Sequence, residues 1–253
     1  MSHLSLADAL VVQGGATLLC GASFTVDTGK LVGLVGPNGA GKTTAIRALL
    51  GQQAMSSGSA QIEGIDIATL SPQARARAIA YLPQLRLLAW PMGVREVVAL
   101  GRFAYGGPLG QLCAGDQEAV EAALETCDLL TFADRSVASL SGGELARVHI
   151  ARVLAAQTKA LVADEPIAAL DPRHALDVLG LLKAKAHSGA AVLVILHDLN
   201  WAARFCDEII LMDQGNTIAQ GPPRDVLTND AMSNVFGVNA VWNGDELVLR
   251  SVA

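Results

Sequence analysis

The sequence predicts an α/β domain with a parallel-sheet core, an antiparallel β portion near its amino terminus and an inserted helical portion. Three observations carry this expectation. Short β-branched or leucine-rich runs alternate with helical patterns, the signal of parallel strands joined by crossover helices. A glycine-rich turn ending in Lys-Thr follows one such run at 36–43. Between 86 and 156 the strand patterns vanish and helical ones succeed one another.

Each element has a local reason. The amino-terminal stretch and residues 61–67 alternate in polarity and are bounded by glycine, so they read as antiparallel strands. Core strands are expected at 31–35, 79–82, 160–163, 191–196 and 208–212, each followed by a turn or a polar residue where a strand should stop. Helical patterns at 94–100, 117–130 and 142–155, around a glycine-rich loop at 106–115, form the insertion. The tail from 239 alternates and reads equally as a small strand or as a contact for a second copy. One domain results: 1–85 and 157–237 hold the sheet core with its β portion, 86–156 the helical portion, and 238–253 a short extension.

The 253 residues are 51% hydrophobic and 17% charged, enough for one large core and incompatible with a disordered tail. A net charge of −6, from 18 Lys+Arg against 24 Asp+Glu, gives no general attraction for a polyanion, so no nucleic-acid partner is expected. Cys20, Cys113, Cys127 and Cys206 lack CxxC or CxxH spacing and read as reduced thiols rather than a metal site. Residues 1–12 show no basic start of a signal peptide. The longest apolar runs, such as 190–196, are far shorter than the roughly 20 residues that span a bilayer. The expectation is a cytoplasmic chain whose membrane role comes through a partner.

Gly36-Pro37-Asn38-Gly39-Ala40-Gly41-Lys42-Thr43 fits GxxxxGK[ST] between an apolar strand and a helical run from Thr44, which is the context of a P-loop in a P-loop NTPase (RecA-like) core. Glycines let successive backbone amides turn toward phosphates; Lys42 adds a positive charge and the Thr43 hydroxyl a Mg²⁺ ligand. Ligands of parallel sheets sit beyond the carboxyl ends of the strands, so Gly36, Gln84, Asp164 and His197 should converge. Asp164 and Glu165 end an apolar strand, a costly place for adjacent carboxylates unless a cation or a reaction uses them. Asp164 suits Mg²⁺ and Glu165 the attacking water. Leu140-Ser141-Gly142-Gly143-Glu144 stands before a helical run and offers a second anion site. One P-loop already serves the phosphates, so this second cradle suits another subunit's nucleotide.

In that order, the P-loop, Gln84, Leu-Ser-Gly-Gly-Glu, Asp164-Glu165 and His197 resemble the ATP-binding cassette (ABC) family over residues 4–237. The resemblance implies the ABC ATPase fold, with ATP held by Gly36, Pro37, Asn38, Gly39, Ala40, Gly41, Lys42, Thr43 and Thr44, and in trans by Ser141, Gly142, Gly143 and Glu144. It implies Glu165, His197 and Gln84 as the catalytic set and Thr43, Gln84 and Asp164 as the Mg²⁺ ligands. Gln84 would also sense a transmembrane partner, and Asp171, in Ala169-Leu170-Asp171, would lie in the D-loop at a dimer interface.

Tyr81-Leu82-Pro83-Gln84, the run at 94–102, and His197-Asp198-Leu199-Asn200 with Ala202, Ala203 and Gly221 are similar to the ATPases of importers for iron-siderophore complexes, haem and vitamin B12. That subgroup implies a homodimer of ATPase subunits, an integral membrane permease in two copies, an extracytoplasmic cargo-binding protein, and a peripheral position on the cytoplasmic face of the inner membrane. Apolar Leu87, Leu88, Trp90 and Met92 are expected to line the groove that receives the permease. The alternative is a soluble ABC ATPase acting on nucleic acid or ribosomes, disfavoured by the acidic charge and the single cassette. A small-molecule kinase is disfavoured by the Leu-Ser-Gly-Gly-Glu turn and the paired carboxylates.

Two departures stand out. The position of the family's adenine-stacking aromatic falls at Gln13 and no aromatic precedes Phe24, so weaker or less purine-selective nucleotide binding is expected. Leu145-Ala146 replace a commonly polar pair. His3, His149, His174 and His187 read as structural or solvated.

Overall fold

A computed structural model describes residues 2–84, 92–106, 112–168, 170–244 and 246–251. The chain opens with the hairpin of β1 (Ser2–Gln13) and β2 (Ala16–Asp27), turned at Gly14 and Gly15, both at positive φ. Next come β3 (Leu31–Val35), α1 (Lys42–Leu49), and the short pair β4 (Ser57–Ile62) and β5 (Ile65–Asp66), which completes a four-stranded antiparallel sheet of order β2-β1-β4-β5. Helix α2 (Pro72–Ala78) starts with proline in its first turn and with the Ala74 amide donating to Ser71 Oγ, and it runs directly into β6 (Ile79–Leu82).

The helical portion follows as α3 (Val94–Ala99), α4 (Ala114–Thr126) and α5 (Gly142–Ala155). The chain then alternates through β7 (Ala160–Asp164), α6 (Pro172–His187), β8 (Ala191–Ile195), α7 (Leu199–Phe205), β9 (Glu208–Asp213) and β10 (Asn216–Gly221). It closes with α8 (Pro223–Val226), α9 (Asn229–Phe236), β11 (Val238–Asn243) and β12 (Glu246–Ser251).

Among the described residues the central sheet has six strands in the order β10-β9-β3-β8-β7-β6, parallel except for β10 at one edge. Its inner strands are apolar without interruption because both faces are covered. Side chains alternate, so Leu31, Leu161, Val192 and Val194 join one apolar cluster while Val32, Leu34, Val162 and Leu193 join another. The first cluster takes in Val97 of α3, Leu124 of α4 and Ile150 of α5; the second takes in Ile46 of α1 with Leu6 and Leu19 of the first hairpin. Each fully buried leucine or isoleucine contributes about 1.5–3 kcal/mol of transfer free energy.

A buried ion pair braces the helical portion. Arg102 Nε donates to Asp116 Oδ1 at 2.7 Å, Arg102 also donates to the Ala155 carbonyl at 3.0 Å, and its guanidinium lies 3.6 Å from the Tyr105 ring centroid. Cys113 Sγ donates to the second Asp116 oxygen at 3.1 Å. Satisfying both partners matters, because breaking such a pair leaves a desolvated charge.

The structure amends two expectations and decides between the two readings of the tail. The helix expected at 117–130 runs over Ala114–Thr126, because Asp128 takes a φ of 53° and interrupts an apolar pattern that Leu129 and Leu130 continue. The tail is a hairpin packed on its own chain: the Ala240 amide donates to Asn229 Oδ1 at 2.9 Å and Trp242 Nε1 to the Leu227 carbonyl at 3.1 Å. Met92 does not line an open groove, since its carbonyl accepts from the Val137 amide at 2.9 Å and its side chain is buried in the core with Val94 and Val97. Leu87, Leu88 and Trp90 lie outside the described residues.

Candidate functional site

Strands β3, β8, β7 and β6 are parallel neighbours, so their carboxyl ends bring Gly36, His197, the pair Asp164-Glu165 and Gln84 to one edge of the sheet. The loop from Gly36 to Lys42 curls there. A Cβ on Gly36 would collide with the Met212 carbonyl, and Gly39 and Gly41 hold φ of 84° and 94°. Gly41 is the N-cap of α1 and supplies no side-chain cap, and the first turn holds no acidic residue. The first amides of that helix are therefore open to an anion.

Lys42 is buried, and its Nζ donates to the Gly36 and Pro37 carbonyls at 2.7 and 2.8 Å. Burial lowers its pKa, against the opposing pull of Glu165 and Asp164. A cavity of about 440 Å³ opens beside it, lined by Asn38, Lys42, Thr43, Glu165 and His197 and also by Ala40, Thr44 and Gly215.

Asp164 is buried at the end of β7, and its Oδ1 has no hydrogen-bond partner. Burial raises its pKa, and the Glu165 charge adds to the rise. Glu165 sits in the left-handed backbone region at φ 49°, a conformation that costs a non-glycine residue on the order of 1–3 kcal/mol and turns its carboxylate into the cavity. Gln84 Nε2 donates to Glu165 Oε2 at 2.6 Å, and His197 Nε2 pairs with Glu165 Oε1. Residues from β6, β7 and β8 are thus clasped together.

An orphaned carboxylate oxygen at the same sheet edge as the Thr43 hydroxyl and the Gln84 amide is an oxygen donor set that fits Mg²⁺. Among the described residues no group of three His, Cys, Asp or Glu gathers elsewhere to hold a metal. A single carboxylate suits Mg²⁺, which binds through few protein ligands and substrate phosphates.

The turn expected from the sequence to offer a second anion site lies at the start of α5. Ser141 is its N-cap: the Glu144 amide donates to Ser141 Oγ at 3.3 Å, while the Ser141 amide and hydroxyl both donate to Glu144 Oε2 at 2.8 Å. This reciprocal bonding holds the exposed Glu144 below the usual carboxylate range, chiefly through the Ser141 amide. Asp171 caps α6, its Oδ1 accepting the His174 amide at 3.0 Å and its Oδ2 accepting His174 Nδ1 at 2.7 Å. Of the replaced pair after the turn, Ala146 is buried and Leu145 packs against the core, so apolar packing takes the place of polarity there.

Several contributors to the site escape sequence reading. Thr17 and Leu18 of β2 and Gln214 in the β9–β10 turn line the phosphate cavity, whereas Gln13, paired with Ala16 across the first hairpin, is not among its lining residues. Gly215 braces the loop by donating its amide to the Ala40 carbonyl at 3.0 Å. A Gln-Gly turn between two strands is visible in the sequence, but its landing place is not. His174 takes the structural one of the two places expected for it: it is half-buried, and its ring covers Gly143, where a Cβ would overlap it.

Fold and site together define a P-loop nucleotide hydrolase with a capped Ser-Gly-Gly turn on its helical portion. The comparisons with known proteins agree. The ABC transporter family profile matches residues 19–168. The hemin import ATP-binding protein HmuV of Bordetella pertussis is 44% identical over 240 residues, covering 91% of this chain and 90% of that protein. The HmuV protein of Rhizobium meliloti is 39% identical over 238 residues, covering 91% and 89%. Among solved structures, an ATP-binding cassette of an ABC transporter in its ADP conformation superposes with a TM-score of 0.81 at 28% identity, over 90% of this chain and 95% of that one. A nucleotide-free cassette gives 0.80 at 26% identity, over 94% and 96%. This chain belongs to the ABC transporter family and is an ATPase of that family.

Proposed function

We propose that this ATPase powers import of an iron chelate, haem foremost, through a separate membrane permease. The observation that carries the ATPase chemistry is the row of Gly36, His197, Asp164-Glu165 and Gln84 on adjacent strand ends beside the Lys42 cavity. The cargo reading rests on relatives named as hemin import proteins across about nine-tenths of the chain. A siderophore complex or vitamin B12 is the neighbouring possibility within the same subgroup.

Two copies close head to tail, each ATP lying between Lys42, Thr43 and Thr44 of one chain and Ser141, Gly142 and Gly143 of the other, with Asp171 near the interface. Lys42 leaves its two loop carbonyls and bonds the phosphates, and the open amides of α1 receive them. Glu165 orients the attacking water and accepts its proton, held in place by Gln84 and His197. Thr43, Gln84 and Asp164 would hold Mg²⁺, which supplies neutralisation of phosphate charge when bound. Catalysis is then mostly positioning and electrostatics.

A groove of about 620 Å³ between the sheet edge and the helical portion supports a permease partner. It is lined by Leu50, Arg75, Pro83, Leu100, Arg152 and Val153, next to Gln84 and to Phe103, which is 73% exposed. Among the described residues no helix is long and apolar enough to cross a membrane, so the chain would reach the cytoplasmic face of the inner membrane through that partner. A cargo-binding protein would act on the far side, and nucleic acid has no part.

The test is growth of a deletion strain with hemin as sole iron source. Loss of growth restored by the wild-type gene but not by Glu165→Gln supports the reading. Undiminished growth on hemin overturns the haem assignment. Tagged Glu165→Gln protein, captured with ATP and Mg²⁺ from detergent-solubilised membranes, should retain a polytopic permease. Recovery of ribosomal or DNA-associated proteins alone overturns the permease reading.

A further inference from the structure

The neighbourhood of His174 is unlike that of the other histidines. It lies in the first turn of α6, three residues after the N-cap Asp171, and both oxygens of that carboxylate are engaged by residue 174, one by its amide and one by its ring. A ring held at one end by an ionised partner has little freedom. The same two bonds hold Asp171 below the usual carboxylate range, chiefly the one from the His174 amide and then the one from its ring. The opposite side of the imidazole lies on Gly143, in the first turn of α5, so closely that a methyl group there would occupy the same space.

We infer that His174 is a positioning residue for ATP hydrolysis, fixing the Asp171 end of α6 against the Ser141-Gly142-Gly143 turn so that both move as one surface when two copies close. The turn at the start of α5 depends on its own capping box for shape, but that box fixes nothing outside the helix. The bond to Asp171 and the contact with Gly143 tie the turn to a second helix. Glycine is required at 143 for this reason as well as for close approach of a phosphate: any side chain there would displace the ring and with it the Asp171 bond. An apolar ring would fill the same space without holding Asp171, which separates positioning from packing.

This inference rests on the proposed use of the Ser141 turn by a second copy's nucleotide, and the experiment keeps the two apart. Turnover and KM for Mg-ATP are measured on the purified full chain as wild type, His174→Phe, His174→Ala, His174→Asn and Ser141→Arg, with melting temperature and binding of a fluorescent ATP analogue to each. His174→Phe should retain the melting temperature and nucleotide binding while kcat falls about tenfold with KM little changed, the mark of misplaced rather than absent groups. His174→Asn, which puts an amide nitrogen near the place of Nδ1, should recover part of that loss. If His174→Phe does not fold, His174→Ala is read against His174→Asn in the same way. Wild-type kcat in His174→Phe or His174→Ala, with Ser141→Arg inactive, overturns the role of His174 and leaves the proposed function standing. Full activity in Ser141→Arg overturns the second-copy reading on which it rests.

Discussion

The amino termini of α1 and α5 are built in opposite ways. Helix α1 begins at Gly41, without a side-chain cap and without an acidic residue in its first turn, above a buried lysine. Helix α5 begins at Ser141, closed by its own Glu144 carboxylate on the exposed surface. Both termini carry the same partial positive charge. What differs is the cap: the first end has no side-chain cap, while at the second Ser141 Oγ accepts the Glu144 amide and the Glu144 carboxylate accepts from the Ser141 amide and hydroxyl. In the proposed dimer the first end would serve a nucleotide of its own chain and the second that of a partner.

The largest expected effect tests the catalytic side of this contrast. Glu165→Gln should lower ATP turnover by about 10²–10⁴-fold while nucleotide binding persists, since an amide cannot take a proton from water. A steady-state phosphate-release assay decides it, and near-normal turnover would remove Glu165 from its assigned role. The next effect separates the two helix ends directly. Lys42→Ala should weaken ATP binding by about 10- to 100-fold, the worth of a charge-assisted bond. Ser141→Arg should leave binding to the isolated chain within about twofold and abolish turnover, because only the closed pair uses that turn. Equal binding losses in the two variants would break the distinction.

A third measurement concerns the internal cap itself. Because Glu144 is held below the ordinary value of about 4.3, its contribution to stability is complete above that pH and is lost as pH falls through the lowered value. The difference in melting temperature between wild type and Glu144→Ala should be constant from neutral pH down to the ordinary carboxylate value and close as pH falls through the lowered one. A difference that closes near neutrality would place the cap elsewhere. The smallest effect is outside the nucleotide cavity, where Gln13→Tyr should tighten ATP binding only a fewfold, less than full base stacking of about 1–3 kcal/mol, since Thr17 and Leu18 rather than Gln13 line the cavity. Unchanged affinity on calorimetry would show that the position has no reach to the base.

The parallel core was legible because its strands are short, apolar on both faces and followed at once by polar residues; Leu31–Val35 and Ile79–Leu82 fall where the pattern puts them. The meeting of Gln84, Glu165 and His197 was legible for the same reason, since parallel neighbours deliver their carboxyl ends to one edge. Periodicity failed where a backbone conformation overrides it, as at Asp128, and where burial depends on a distant partner, as for Met92. The left-handed backbone of Glu165 leaves no trace in composition, because glutamate is not a residue that favours it. The pairing of His174 with Gly143 joins positions on two helices whose packing no local pattern encodes.

The alternation of side chains along β3, β7 and β8 makes the sheet a partition. Val97 and Ile150 of the helical portion belong to one apolar cluster and Ile46 of the phosphate-loop helix to the other. Gln84, Glu165 and His197 form a row of joined side chains along the strand ends, at the rim where the two faces meet. In the proposed transporter, movement of the helical side would reach the site of hydrolysis by that row as well as through Leu31, Leu161 and Val192 of the strands on which the helices pack.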